Sequence, residues 1–498
     1  MESAKFDLHL IDYAIVVIYF IGVVAHGIYV SRKNTGGSED YFLAGRSLPW
    51  YLIGFSLFAS NMSGSSFVGL MGGAYANGVV IFNYEWTAAL VLILFAIFIL
   101  PSYLRAKIST VPGFLEERYD VRSRRAFSLF TILAIMFIDT AGALYAGGLV
   151  ISNVTGYLNL WAAVAVLALV AGIYTILGGL SAVVVTDTVQ AILLIIGAAA
   201  LFWIGLDEIG GWEELFTGTP DELTHMILPA DDDFLPWTGL LGVILLGFYY
   251  WTINQFVVQR TLGAKDLKEG QIGAIFAGFL KLPNIFLMVL PGIIALKLYP
   301  DLETPDLAFP TLAFELMPIG VRGLIMAALI AAIMSSLDSA LNSASTLVVK
   351  DFAEPIFNVK EERQVWLGKP AIVVVYILGL MFKRVNGNGA FWTIIFGLVV
   401  GIPLFVLKEV TNYWVYMGLP EIHYTVMSSI MMTIGIILHF GISYATSPKE
   451  KENLGDLVWQ ADEAKEIFTQ WEKPLWQDRT LWAGVLVVAT AAMVVWWW

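Results

Sequence analysis

Ionisable and hydroxyl side chains inside apolar stretches are rare, and this chain places them at a few points only. Residues 327–345 read AALIAAIMSSLDSALNSAS, a run free of Gly and Pro. Ser335, Ser339 and Ser343 recur every fourth residue, so a helix sets them on one face, with Asp338 and Asn342 beside that stripe. A bilayer-spanning helix must aim such groups at protein, water or an ion. Close packing through small residues explains the Ser and Ala positions equally well. Asp338 tilts the reading toward function, because an acid inside a membrane is a functional candidate. Glu85, in FNYEWTA, and Lys281, in AGFLKLPN, are opposite charges in apolar runs. They cost least as partners, and both can hydrogen-bond a polyhydroxy solute. The plainer reading of Glu85 is snorkelling to a nearby interface. Asp187, in GGLSAVVVTDTVQ, stands near the cytoplasmic start of a helix, where the helix dipole also accounts for it. Tyr249, Tyr250 and Trp251 suit packing or an aromatic belt; beside a helix break, Tyr250 can also cap a solute.

These groups need long apolar helices to hold them. The chain has 498 residues, 58% hydrophobic and 14% charged, with a mean hydropathy of +0.75. That is the composition of an all-α polytopic membrane protein. Apolar runs of spanning length lie at 9–30, 48–78, 79–101, 125–150, 157–177, 182–205, 236–258, 270–299, 319–349, 389–408, 423–445 and 480–498, with a shorter run at 370–382. The longest polar stretch, 447–478, is too short for a soluble domain of typical size, so 1–498 reads as a single membrane domain. With no cysteine there is no disulfide framework and no thiolate chemistry. A net charge of −13 makes nucleic acid an unsuitable partner. The acidic N-terminus lacks a basic region before its first apolar run, so 11–30 reads as a retained helix.

Loop charge sets an orientation. Arg32, Lys33 and Arg46 put the first loop inside and the N-terminus outside. The Arg105–Arg125 loop is inside, the loop at 207–236, which has no Lys or Arg, is outside, and Arg260, Lys265 and Lys268 are inside. Lys350, Lys360, Arg363 and Lys369 are inside again. Alternation then fails, because the short run 370–382 is followed directly by Lys383 and Arg384. A run of this length suits a re-entrant or half-buried segment, and the sequence reads as if one crossing is missing near Lys369–Pro370.

Two helices are interrupted. Small and polar residues, SNMSGSS, fall at 60–66, and the run at 236–258 is expected to break near Gly247. Interrupted helices five spans apart point to two repeats with a substrate site at the breaks, where unwound carbonyls bind a cation and half-helix ends orient a solute. The five His have no metal-ligand spacing, and no phosphate loop or nucleophile–base pair stands out, so transport is a simpler reading than catalysis.

The motifs resemble a known family. GGLSAVVVTDTVQ (178–190) and GLMFKRVNGNGAFWTIIFG (379–397) are similar to the two signatures of the sodium/solute symporter family. EDYFLAGRSLPW, NYEW, NQFVVQRTLGAK and SSLDSALNSASTL resemble its sodium–sugar cotransporter branch. The resemblance runs from Asp12 to at least Leu404. It implies a LeuT-type five-plus-five inverted repeat with flanking helices. Here that gives about 13 spans with one helix lacking near 369–370: a leading helix at 9–30, a first repeat at 48–205, a second and incomplete repeat at 236–408, and trailing helices at 423–498. It implies Na⁺ as coupling ion, held by the carbonyls of Ala59, Met62 and Ala332 and the hydroxyls of Ser335 and Ser336, an all-oxygen shell suited to a hard cation. It ties Asp187 to sodium coupling or release and adds Ser339 to a second site. Asp338 stands where the sugar carriers often have a small residue. Asn61, Glu85 and Lys281 match sugar-contacting positions, and Tyr250 matches the inner gate. Ser66, Ala88 and Gly247 depart, standing where the bacterial galactose carrier has Gln, Ser and Asn. A further sugar-binding Gln falls in the gap, which amounts to roughly forty residues, about one helix plus loop and part of another.

The expectation is therefore a multi-pass carrier of the plasma (inner) membrane, both termini outside, that imports a small sugar-like solute with Na⁺. Alternatives are a solute sensor that does not translocate, an uncoupled facilitator, or a shortened and inactive carrier. Composition leaves the oligomeric state open.

Overall fold

The computed structural model describes residues 9–31, 38–155, 159–353, 386–405, 407, 413–417, 422–446, 475 and 478–498. Among the described residues the fold is helical, and β-pairing is limited to the isolated bridges Leu48–Ala264 and Leu228–Pro236. The Val321–Leu347 helix is its centre. Twenty-seven residues long, it runs about 40 Å, and nearly every residue from Ile325 to Ser343 is buried. Its most extensive partner is Leu160–Glu208. The leading helix, Leu10–Ser31, packs against both. Its Asp12 is wholly buried and accepts hydrogen bonds from the backbone N–H of Gly320 (2.7 Å) and Gly323 (2.9 Å). The central helix opens on Gly320, which has no side chain to cap its orphan N–H groups. Asp12 supplies that cap from another helix, with a charge of the sign the helix N-terminus favours.

The runs at 157–177 and 182–205 form one continuous element, turned at Gly179. Gly179 has φ +57° and ψ −159°, and a Cβ there would meet the Tyr41 carbonyl oxygen at 2.5 Å. Only Gly adopts that backbone and admits that approach.

The polar interruption at 60–66 is a true break. Trp50–Asn61 ends at Met62, and Ser63 starts Gly64–Asn77 with a reciprocal capping box to Ser66. The second break is not near Gly247, as the sequence led us to expect. Gly247 lies inside the Leu240–Thr252 helix, and the chain bends by 49° after it, before Gln255–Leu262. The reason is local: one Gly costs a helix only about 1 kcal/mol, whereas the Asn254 side chain accepts from the Phe256 N–H and starts a new helix. A further bend, of 40°, separates Leu267–Lys281 from Ile285–Leu298, next to Pro283.

Four helices among the described residues are long and apolar enough to cross a membrane, or six if each bent pair is one span. Leu10–Val23, Leu160–Leu169 and Ser429–Ala445 are shorter apolar pieces. The gap at Lys369–Pro370 and the run 370–382 lie outside the described residues. Both flanks of that stretch meet one turn. The Arg124 Nη2 donates to Lys350 O and Asp351 Oδ1 (2.7 Å each), and the Arg122 Nη2 donates to Asn388 Oδ1 (2.9 Å). Asp120 caps the same turn. Burial alone would raise its carboxyl, but hydrogen bonds from the Ser123 N–H and the Arg122 guanidinium hold it below its ordinary value.

Candidate functional site

The site forms where the first break rests on the central helix. A Cβ on Gly64 would come within 2.6 Å of the Ile333 side chain, so the broken helix lies directly on the central one. Ala59, Met62, Ala332 and Ser335 are wholly buried here, and Ser336 is half-buried. Ser336 donates to the Ala332 carbonyl (3.1 Å), and Ser335 donates to Asp187 Oδ1 (2.6 Å). This brings the end of the first half-helix, with Ala59 and Met62, onto the central helix, with Ala332 and two hydroxyls, and oxygen donors of this kind suit a hard monovalent cation.

Asp187 is two turns past Gly179 and wholly buried, beyond the first turn where a helix dipole acts. Its Oδ2 accepts from Ser56 (2.5 Å) and Ser60 (3.4 Å). The serine stripe divides its partners among three elements. Ser335 goes to Asp187. Ser339 lies 3.2 Å from Ser60 and donates to Asp338 Oδ1 (3.2 Å). Ser343 donates to Gln259 Oε1 (2.7 Å). Asn342, beside that stripe, is buried too.

A second cluster lies on the other side of the break. Lys281 and Glu85 are 1% and 6% exposed, and Lys281 Nζ donates to Glu85 Oε2 (2.8 Å). The pairing expected from sequence is present, and burial removes the snorkelling alternative for Glu85. Lys281 also donates to Asn61 Oδ1. Tyr250 packs edge-on against Trp251 and Phe256. Ser66 donates to the Asn61 carbonyl (3.1 Å), so its hydroxyl serves the break. Gly247 stands apart from these bonds; a methyl there would touch only Val91 (3.7 Å).

Two residues escaped the sequence reading. Asn284 donates to Glu85 Oε2 (2.6 Å), while its own Oδ1 is buried and without a hydrogen-bond partner among the described residues. Its signal was the Pro283 beside it, since a bend frees polar groups near a charge. Arg260 was counted as a cytoplasmic loop charge. It lies inside Gln255–Leu262, 1% exposed, and donates from Nε to Ser56 Oγ (2.8 Å) and from Nη2 to Ser339 Oγ, with Nη2 3.5 Å from Asp187 Oδ2. The inside assignment of that loop now rests on Lys265 and Lys268. Arg260 follows Asn254 by six residues, so the cap that starts this helix also carries it inward.

A family model described as "Sodium:solute symporter family" matches residues 41–376. The sodium/glucose cotransporter 4 of Danio rerio is 32% identical over 569 residues, covering 95% of this chain and 85% of the relative. The sodium/glucose cotransporter of Vibrio parahaemolyticus is 34% identical, covering 81% and 86%. The human sodium/myo-inositol cotransporter 2 is 30% identical, covering 90% and 78%. The fold is similar to that of a Na⁺-coupled sialic acid symporter in a substrate-bound outward-open state, with a TM-score of 0.73 at 23% identity, covering 89% of this chain and all of that one.

Proposed function

This chain belongs to the sodium:solute symporter family, a multi-pass membrane transporter with Na⁺ as coupling ion, and we propose that it imports a sugar or polyol by alternating access. The observation that carries the solute class is the cluster of buried Glu85, Lys281 and Asn284 with half-buried Asn61 at the first break. It offers a carboxylate, an ammonium and amides within one hydrogen-bonding group, and the Asn284 Oδ1 awaits a donor. A solute rich in hydroxyls donates and accepts at every carbon and meets all of these. An apolar solute would leave the Asn284 Oδ1 unsatisfied, at a cost of about 1–3 kcal/mol.

Na⁺ is held between the Ala59 and Met62 carbonyls, the Ala332 carbonyl, and the Ser335 and Ser336 hydroxyls, with Asp187 behind Ser335. Its binding fastens the first-repeat break to the central helix and favours the outward-open state. Solute at Glu85 and Lys281 closes the outer side, and Tyr250 gates the inner. Na⁺ then leaves toward Asp187. The coupling is a population shift by differential affinity. Ser66 and Gly247, which replace sugar-contacting residues, alter the solute's shape preference. The membrane is the plasma (inner) membrane, with the Arg105–Arg125 loop inside and both termini outside.

A second reading, a carrier with weakened coupling, is favoured by the charge break after Lys369. The contacts of Asp351 and Asn388 with the same 120–124 turn support a cytoplasmic position for Lys383 and Arg384. In that reading the second repeat lacks its fourth element. Uptake of labelled sugars and polyols into proteoliposomes, with an inward Na⁺ or K⁺ gradient, tests both readings. The symporter accumulates one of them under Na⁺ alone. Equal uptake under the two gradients removes coupled symport.

A further inference from the structure

The C-terminal end of Leu160–Glu208 carries a groove that the transport reading does not use. Val189, Ile192, Ile196 and Trp203 are all exposed, and their helical spacing puts them on one apolar face. In a bilayer that face meets hydrocarbon. Toward its end it opens into a cavity of about 530 Å³, whose lining includes Ala199, Phe202, Trp203, Leu206, Trp212 and Phe286. Phe202 and Leu206 are buried beneath it. The aromatic rings are continuous: Phe202 lies 5.9 Å from Phe286, and Phe286 lies 6.3 Å from Trp212. The rim changes character at once. Asp207 and Glu208 end the helix, Glu213 and Glu214 follow Trp212, and all four are exposed. The loop at 207–236 holds no Lys or Arg. Among the described residues no basic side chain forms an ion pair with these four acids.

We propose that this groove is a lipid site, filled by one phosphatidylethanolamine of the outer leaflet. An acyl chain enters sideways from the exposed face of the helix and lies on Phe202, Leu206 and Phe286. The ammonium sits at the rim beside Trp212, where its N–H groups donate to Glu208, Glu213 and Glu214 and an indole face adds a cation–π contact. Charge selects the headgroup. An anionic lipid is repelled by the acids of the loop, which have no base to balance them. A choline headgroup brings the charge but no N–H to donate. Trp203 and Trp212 also carry indole N–H donors suited to ester oxygens at a membrane interface. The site rests on the outward orientation proposed above for the 207–236 loop, and on neither the ion nor the solute.

The test uses phosphatidylethanolamine with a photoactivatable group in one acyl chain, on the full-length protein in phosphatidylcholine nanodiscs. Crosslinked residues are mapped by mass spectrometry. Wild type is expected to crosslink at residues 199–206 and at Phe286. Unlabelled phosphatidylethanolamine should compete about ten-fold better than phosphatidylcholine or phosphatidylglycerol. Glu208→Gln, Glu213→Gln and Glu214→Gln together, all at exposed positions, should abolish that preference and leave the crosslinked residues the same. Ala199→Trp, which plugs the groove, should lose the crosslinks. Crosslinks spread evenly over the lipid-facing helices, competition by phosphatidylglycerol equal to that by phosphatidylethanolamine, or a preference that survives the triple variant each overturns the proposal. So does stronger displacement by a sterol, which gives the groove another occupant. The wild-type map and competition decide it even if Ala199→Trp fails to fold.

Discussion

Glu85→Gln separates the solute site from the ion site. The change is nearly isosteric and removes one charge. In the native chain Glu85 Oε2 receives both the Lys281 ammonium (2.8 Å) and the Asn284 amide (2.6 Å). A glutamine keeps one acceptor oxygen but offers no charge-assisted bond to a solute hydroxyl. Such a bond contributes about 1.5–3 kcal/mol, so the half-saturating solute concentration should rise about ten- to hundred-fold. Stability falls as well, because Lys281 stays buried. Breaking a buried pair costs about 3–5 kcal/mol, and Asn61, which still accepts from Lys281, holds the loss toward the lower figure. Neutralising both partners, with Glu85→Gln and Lys281→Met, should recover part of that stability and none of the solute affinity. The assay is initial uptake in proteoliposomes against solute concentration at saturating Na⁺, then against Na⁺ at saturating solute. Half-saturation by Na⁺ should be nearly unchanged. If Glu85→Gln abolishes Na⁺ activation while solute binding persists, the two sites have been assigned the wrong way round.

Further outcomes follow from the same geometry. Ser335→Ala with Ser336→Ala should weaken Na⁺ activation of uptake more than solute selectivity; unaltered Na⁺ activation would remove these hydroxyls from the ion shell. Asp12→Ala takes the cap off the central helix and should cost about 0.5–2 kcal/mol of stability. That appears as a lower melting temperature in detergent with the preferred solute unchanged, and an unchanged melting temperature would mean the cap contributes nothing. A single Cys at Asn388, in a chain with no native Cys, should react with a membrane-impermeant maleimide only from the cytoplasmic side. Reaction only from outside would mean that the run at 370–382 crosses.

The sequence exposed the parts of the site that carry charge or hydroxyls within apolar runs. Glu85, Lys281, Asp187 and the Ser335 stripe violate the expectation of a lipid-facing helix, and each found a buried partner. The first break was legible because SNMSGSS sets small and polar residues within an apolar run, and Ser63 and Ser66 cap the new helix there. The second was misplaced because Gly247 alone was read as the break, whereas the Asn254 side chain caps the new helix and a capping side chain specifies a helix start more firmly than a flexible backbone specifies an end. Arg260 was misread because charge at the edge of an apolar run looks the same whether it faces cytosol or a buried carboxylate. That distinction depends on Asp187, 73 residues away in sequence, and no local pattern contains it. Asn284 was hidden for a similar reason, since its partner Glu85 lies 199 residues away.

Asp12 also has a consequence in time. The backbone groups it caps lie 308 and 311 residues downstream. At roughly 5–20 residues per second, synthesis reaches Gly320 about 15–60 s after Asp12 has emerged. Through that interval the first helix has its carboxylate without its final partners. Water at the bilayer surface must satisfy it, which keeps the helix end near the interface and delays its seating. The leading helix is therefore among the first segments made and among the last to settle.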